Sequence, residues 1–140
     1  MRRVIVAAVV IAASPRAHAQ RQPGWELRVP ERVEVAAGGT ATVAIAIAVD
    51  RGLVVSRDAP VIVDLAPDAA LSVKKRRLGR GDAVDPEADA PRFAVAVRAP
   101  DAAAEPGEHA VAVRIRLWVC GGKVCKPLDE HRKVTVVVGR

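Results

Sequence analysis

An all-β chain is what this sequence predicts, and three observations carry that expectation. Apolar residues alternate with a period of two over long stretches. Turn-forming residues recur between those stretches at short intervals. No segment combines a helical period with a start cap and a stop signal. Seven or so short strands with frequent turns point to a β-sandwich of immunoglobulin type.

The N-terminus comes first in the chain and is read apart from the fold. Met1-Arg2-Arg3 is basic, Val4 to Ala13 is an unbroken apolar run, Ser14-Pro15 breaks it, and Ala17-His18-Ala19 offers small residues at a cleavage point. That is the anatomy of a secretory signal peptide cleaved after Ala19. The apolar run is too short for a membrane anchor, because crossing the hydrocarbon core takes about 20 residues. The expected organisation is a signal peptide over residues 1–19 and a single immunoglobulin-like domain over residues 20–140, without stable membrane insertion. The alanine- and arginine-rich composition suggests a GC-rich bacterial genome, so the expected compartment is the periplasm.

The strands follow. Glu26–Val35 reads as one strand. Thr40–Val49 alternates large and small residues and places Val43, Ile45, Ile47 and Val49 on one face. Short strands are expected at Val54–Val55, Pro60–Leu65 and Leu71–Lys75, and a longer one at Arg92–Arg98. His109–Val119 repeats the alternation: Val111, Val113, Ile115, Leu117 and Val119 form the core set, while Arg114, Arg116, Trp118 and Cys120 share the outer face. Val134–Val138 closes the fold. Turn signals stand at Gly38-Gly39, Asp50-Arg51-Gly52, Pro67-Asp68 and Glu105-Pro106-Gly107. Gly79–Ala90 has no apolar period and four acids, so it reads as a loop long enough to be functional. Pro100–Gly107 is a shorter one.

The leader carries three of the 22 basic residues and no acid, so the remaining domain has a net charge of +3 rather than +6. Lys74-Lys75-Arg76-Arg77 is its one dense basic run. Nucleic-acid surfaces interleave such charge with aromatics, and Trp25, Phe93 and Trp118 are the only aromatics here. The run reads as a solvated strand end, and no nucleic-acid partner is expected. Ser56 and Ser72 are the serines beyond the leader, and neither sits in a nucleophile elbow. No phosphate-binding loop is present, and neither a cofactor nor a resident metal is expected.

The chemistry concentrates in the chain's two cysteines, within Leu117-Trp118-Val119-Cys120-Gly121-Gly122-Lys123-Val124-Cys125-Lys126-Pro127. Strands entering and leaving a four-residue loop would set Cys120 against Cys125, close to bonding distance. An exported chain favours the disulfide. Closing so short a loop removes little chain entropy, worth on the order of 2 kcal/mol. Two readings stay open. Cys120 and Cys125 form an exchange site, their thiolates favoured by Arg114, Arg116, Lys123 and Lys126, or they merely staple a hairpin. A zinc site drawing on Cys120, Cys125, His131 and His109 is a third arrangement the residue types allow.

The run Arg114 to Pro127 resembles the signature of the N-terminal periplasmic domain of the thiol:disulfide interchange protein DsbD: a strand ending in an aromatic residue, Cys, a few residues, Cys and a proline, matched here by Pro127, and a valine-rich strand. The likeness reaches upstream through Gly38–Val49 and Gly52–Pro60, covering roughly Val35 to Val138. It departs at Leu128, where a second proline is common, and at the missing histidine and asparagine before Pro60. The resemblance implies an immunoglobulin-like sandwich whose Cys120 and Cys125 cycle between dithiol and disulfide. It implies thioredoxin-like periplasmic proteins or a membrane thiol conduit as partners, and a cap loop over the cysteines, for which Gly79–Ala90 is the candidate by position although it lacks an aromatic. The alternative expectation is a non-catalytic periplasmic protein-binding sandwich with a structural hairpin disulfide.

Overall fold

The computed structural model of the chain describes residues 20–22, 24–100 and 106–139. The signal peptide expected over residues 1–19 lies outside the described residues, as does most of the Pro100–Gly107 loop. Among the described residues eleven strands form two sheets: β1 Gln20–Gln22, β2 Trp25–Arg28, β3 Arg32–Val35, β4 Thr40–Val49, β5 Val54–Val55, β6 Ile62–Pro67, β7 Ser72–Val73, β8 Arg77–Leu78, β9 Arg92–Arg98, β10 Gly107–Gly121 and β11 Val124–Val138. One sheet runs β1-β2-β4-β9-β7. The other runs β3-β11-β10-β6-β8, with β5 also paired to β10. Among the described residues the only helix is a single 3-10 turn at Arg80–Asp82, so none is long and apolar enough to cross a membrane.

The period-two pattern decides what lies between the sheets. In β4 Val43, Ile45 and Ile47 are buried; in β9 Phe93, Val95 and Val97; in β10 the odd positions from Val111 to Val119; in β11 Leu128, Val134, Val136 and Val138. These side chains form one core with Val63 and Leu65 of β6 and Leu27 of β2. Two facing sheets with interleaved connections and one shared core make the molecule an immunoglobulin-like β-sandwich.

Three strand expectations are corrected. Glu26–Val35 is two strands. β2 pairs with β4 in the first sheet, while β3 pairs in parallel with β11 in the second. Pro30 marks the crossing, since its missing N–H and fixed φ suit a break better than a ladder. Leu71–Lys75 shrinks to β7, and β8, which the sequence reading did not foresee, returns the chain to the second sheet. The last strand begins at Val124 rather than Val134, so β10 and β11 pair along their whole length, from Gly107↔Val138 to Gly121↔Val124.

That long hairpin has one guarded edge. Among the described residues β3 pairs with β11 only from Thr135 to Val138. Upstream, the outward-facing backbone belongs to Cys125, Pro127, Asp129, His131 and Lys133, by alternation from Thr135, whose N–H donates to the Glu31 carbonyl at 2.8 Å. Pro127 has no N–H to offer. On the inward side of the same stretch, the half-buried Arg132 and Glu130 pair at 3.0 Å. A proline and inward-facing charges blunt an open strand edge against another chain.

Candidate functional site: the disulfide-bearing hairpin tip

The tip is built by a tight turn. Gly121 pairs with Val124, leaving Gly122-Lys123 as a two-residue connection in place of the expected four-residue loop. Gly122 has φ +59, and among the described residues none other than glycine has positive φ, which is the pattern of a type II′ turn. In such a hairpin the pair beside the turn is hydrogen-bonded and the next pair is not. Cys120↔Cys125 is that next pair, where backbones approach most closely. Their Cα atoms lie 4.0 Å apart and their sulfurs are bonded.

Parity holds along the outer face. Cys120 and Cys125 share it with Trp118, which lies opposite Pro127, and with Arg116 and Arg114, opposite Asp129 and His131. On the other flank Val54 of β5 lies beside Cys120. Cys125 is exposed and Cys120 half-buried. The large hydrophobic side chains exposed among the described residues are Val54 (37%), Trp118 (41%), Val124 (59%) and Val84 (54%). Val54 and Trp118 flank the disulfide on the outer face, while Val124, next to Cys125 in the strand, faces the other side of the ladder.

The electrostatics differ from the sequence expectation. Arg114 grips Asp129 with two bonds of 3.0 and 2.8 Å. Arg116 donates to Asp64 at 2.7 Å, and Arg77 binds the other oxygen of the same carboxylate at 2.7 Å. The arginines of the cysteine face are thus each matched by an acid, and the cations left near the sulfurs are Lys123 and Lys126. The hydrogen bond from Arg77, and after it that from Arg116, hold Asp64 below the usual carboxylate range against the opposing effect of burial. Arg114 does the same for Asp129. A carboxyl with a depressed folded pKa adds stability that is complete above its unfolded value, near 4, and is lost as pH falls through the folded one. Stability is therefore expected to fall as pH drops below about 4, and Asp64→Asn should flatten that acid limb. Denaturant midpoints between pH 2 and 6 measure it.

The expected cap loop reaches the cysteines indirectly. Arg80 donates Nη1 to the carbonyls of Pro86 (3.2 Å) and Ala88 (3.0 Å), and Nη2 to those of Val55 (2.9 Å) and Ser56 (3.3 Å). The Val55 N–H donates to the Asp89 carbonyl at 2.8 Å, and the Ser56 N–H to the Trp118 carbonyl at 2.8 Å. The loop thus fastens β5, and β5 flanks Cys120. Arg57 ties the same loop through Glu87 and Asp89. Sequence reasoning missed Arg80, whose partners are main-chain carbonyls that no residue pattern announces. Of the basic run, Lys75 pairs with Asp82 at 2.6 Å and Arg77 with Asp64, so half of it is engaged within the fold.

The four residues raised as metal ligands do not converge. Cys120 and Cys125 bond each other, His131 lies opposite Arg114 six positions beyond Cys125, and His109 lies opposite Val136 at the far end of the hairpin. Among the described residues no group of three or more His, Cys, Asp and Glu could hold an ion.

A pocket of about 170 Å³ lies under the tip, on the side of the ladder away from the sulfurs. Gly24, Trp25, Leu53, Val119, Gly121, Val124, Lys126, Pro127 and Leu128 line it. Leu53 is seated between the hairpin and the β1–β2 turn. A Cβ on Gly121 would collide with Leu53 Cδ2, so only glycine leaves that seat open.

No family model matches the chain, and no curated protein matches it. Among solved structures, murine CRIg is similar with a TM-score of 0.44 at 10% identity, over 83% of this chain and 98% of that one. AggA, the major subunit of aggregative adherence fimbriae type I from Escherichia coli, is similar with a TM-score of 0.42 at 9% identity, over 87% of this chain and 100% of its own. The immunoglobulin-like assignment rests on the strand order itself.

Proposed function

We propose that this chain is an exported, non-catalytic binding module that presents its disulfide-locked hairpin tip to a partner protein in the periplasm. The observation that carries this reading is apolar surface at one place: Val54 and Trp118 stand exposed beside the disulfide on the outer face, and Val124 is exposed on the opposite face of the same tip. Contiguous exposed apolar surface marks interaction sites more often than scattered residues do, and tryptophan is enriched among residues that anchor interfaces. The bridge closes a six-residue loop already held by a fifteen-pair ladder. Its role on this reading is to keep the tip in one shape, so that less freedom is lost on docking.

Two measurements test the proposal. Replacing both cysteines with serine should lower unfolding free energy by about 2 kcal/mol or less while leaving the β-rich circular dichroism spectrum unchanged. Immobilised mature chain should retain periplasmic proteins that the Trp118→Glu variant does not. Equal retention by the two would remove the tip as the contact surface.

A second reading is favoured by the exposure of Cys125 and by the likeness of the cysteine run to the DsbD N-terminal domain. A partner thiolate attacking Cys125 Sγ would form a mixed disulfide and expel the Cys120 thiolate. The partner's second thiol would then release Cys125, leaving this chain as a dithiol and the partner as a disulfide, two electrons having passed to this chain. A thioredoxin-like protein or a membrane thiol conduit is the partner that the resemblance implies. The reduction potential separates the readings. A value below about −300 mV belongs to a structural bridge. A higher value, with mixed disulfides trapped on Cys125 in the Cys120→Ser variant, belongs to exchange.

A further inference from the structure

We infer that the pocket beneath the hairpin tip receives one large apolar side chain of a partner polypeptide, with a neighbouring carboxylate of that partner held by Lys126; this rests on the binding-module reading and names what the tip would bind. Three observations converge. The pocket holds about 170 Å³, close to the roughly 150 Å³ of an apolar cavity that takes benzene. It is well below the roughly 300–1,000 Å³ of small-molecule sites. A phenylalanine or leucine side chain fits that space, and a cofactor-sized ligand does not.

The lining supplies the chemistry. Trp25, Leu53, Val119, Val124 and Leu128 give apolar walls, and among the described lining residues Lys126 is the one that carries a charge. Lys126 is exposed, and the ion pairs among the described residues do not engage it. Lys123 stands at the turn beside it. A cation at the rim of an apolar pocket selects an acid next to the buried group, because an ammonium approached by a like charge disfavours the complex. The pocket also opens beside Val124, the most exposed large hydrophobic residue of the tip, so a segment lying over the tip would cover both.

The experiment uses the oxidised mature chain carrying Trp118→Phe, which leaves Trp25 as its only tryptophan and reporter of the pocket. The probes are acetyl-Ala-Phe-Glu-Ala-amide and two controls, one with Phe replaced by Ala and one with Glu replaced by Lys. The Phe-Glu peptide is expected to shift Trp25 emission saturably, with a dissociation constant on the order of 1 mM, as befits one buried side chain and one exposed ion pair. The Ala control should bind about tenfold more weakly. Lys126→Glu should reverse the preference between the Glu and Lys peptides, an outcome that a merely structural lysine would not produce. Absence of a saturable shift overturns the inference, as does a Glu-over-Lys preference that survives Lys126→Glu. Should those results accompany Trp118-dependent retention of partners, the pocket is refuted and the tip is not. Loss of that retention, with peptide binding intact, refutes the tip and keeps the pocket.

Discussion

Arg80→Ala is expected to lower unfolding free energy by about 2–4 kcal/mol and to loosen β5 ahead of the rest of the sandwich. Hydrogen bonds to a charged group contribute about 1.5–3 kcal/mol each when buried. Arg80 is half-buried and makes four through its two terminal nitrogens, so the sum is reduced by solvent but not abolished. Truncation leaves the carbonyls of Val55, Ser56, Pro86 and Ala88 without the donor that gathers them. It also frees the loop from the short strand beside Cys120. Urea denaturation measures the first effect, and amide exchange at Val55 and Ser56 the second. Both amides bond across this junction, to Asp89 and Trp118, and both should exchange faster in the variant. Arg80→Lys should recover less than half of the loss, because an ammonium is a point donor and cannot span carbonyls on two segments as a planar fork does. Unchanged exchange at both amides in Arg80→Ala would show that the loop is held by other means.

Particular elements explain what the sequence made legible. β4 and β9 were read with their bounds intact, Thr40–Val49 and Arg92–Arg98, because each buries one face and alternates without interruption. Cys120 was placed correctly on the outer face by the same parity. β11 was half missed. From Lys126 to Lys133 it carries proline and charges with Leu128 as its one buried residue, so no apolar period was available to read. Its trace in the sequence was cross-strand matching, of which Arg114 and Asp129 are the clearest pair. Glu26–Val35 misled for the opposite reason. Leu27, Val29, Val33 and Val35 keep one parity through a change of sheet, and only Pro30 betrayed the break. The clamp of Arg80 and the seat of Leu53 depend on segments distant in sequence, and no local pattern encodes them.

Ile115→Ala is expected to be the costliest of the single changes considered, lowering unfolding free energy by about 2–5 kcal/mol. Ile115 is 2% exposed at the middle of β10, beside Val63 of β6 in the register of the sheet and in the shared core with Ile45 and Phe93. Deleting three buried carbons there loses their transfer free energy and leaves a void that two facing sheets, pinned by long ladders, cannot readily close. Ile115→Val should cost only about 0.5–1.5 kcal/mol. Arg114→Ala, one residue away on the outer face, should cost the least of the three, since its partner Asp129 is solvent-exposed. Equilibrium urea unfolding of the three variants and of the double serine variant gives the ranking. Ile115→Ala below the cysteine-free chain means that the sheets hold the fold and the bridge is free to serve the tip. The reverse order would make the bridge the main support of the hairpin, and would remove the ground for assigning it any role beyond stability.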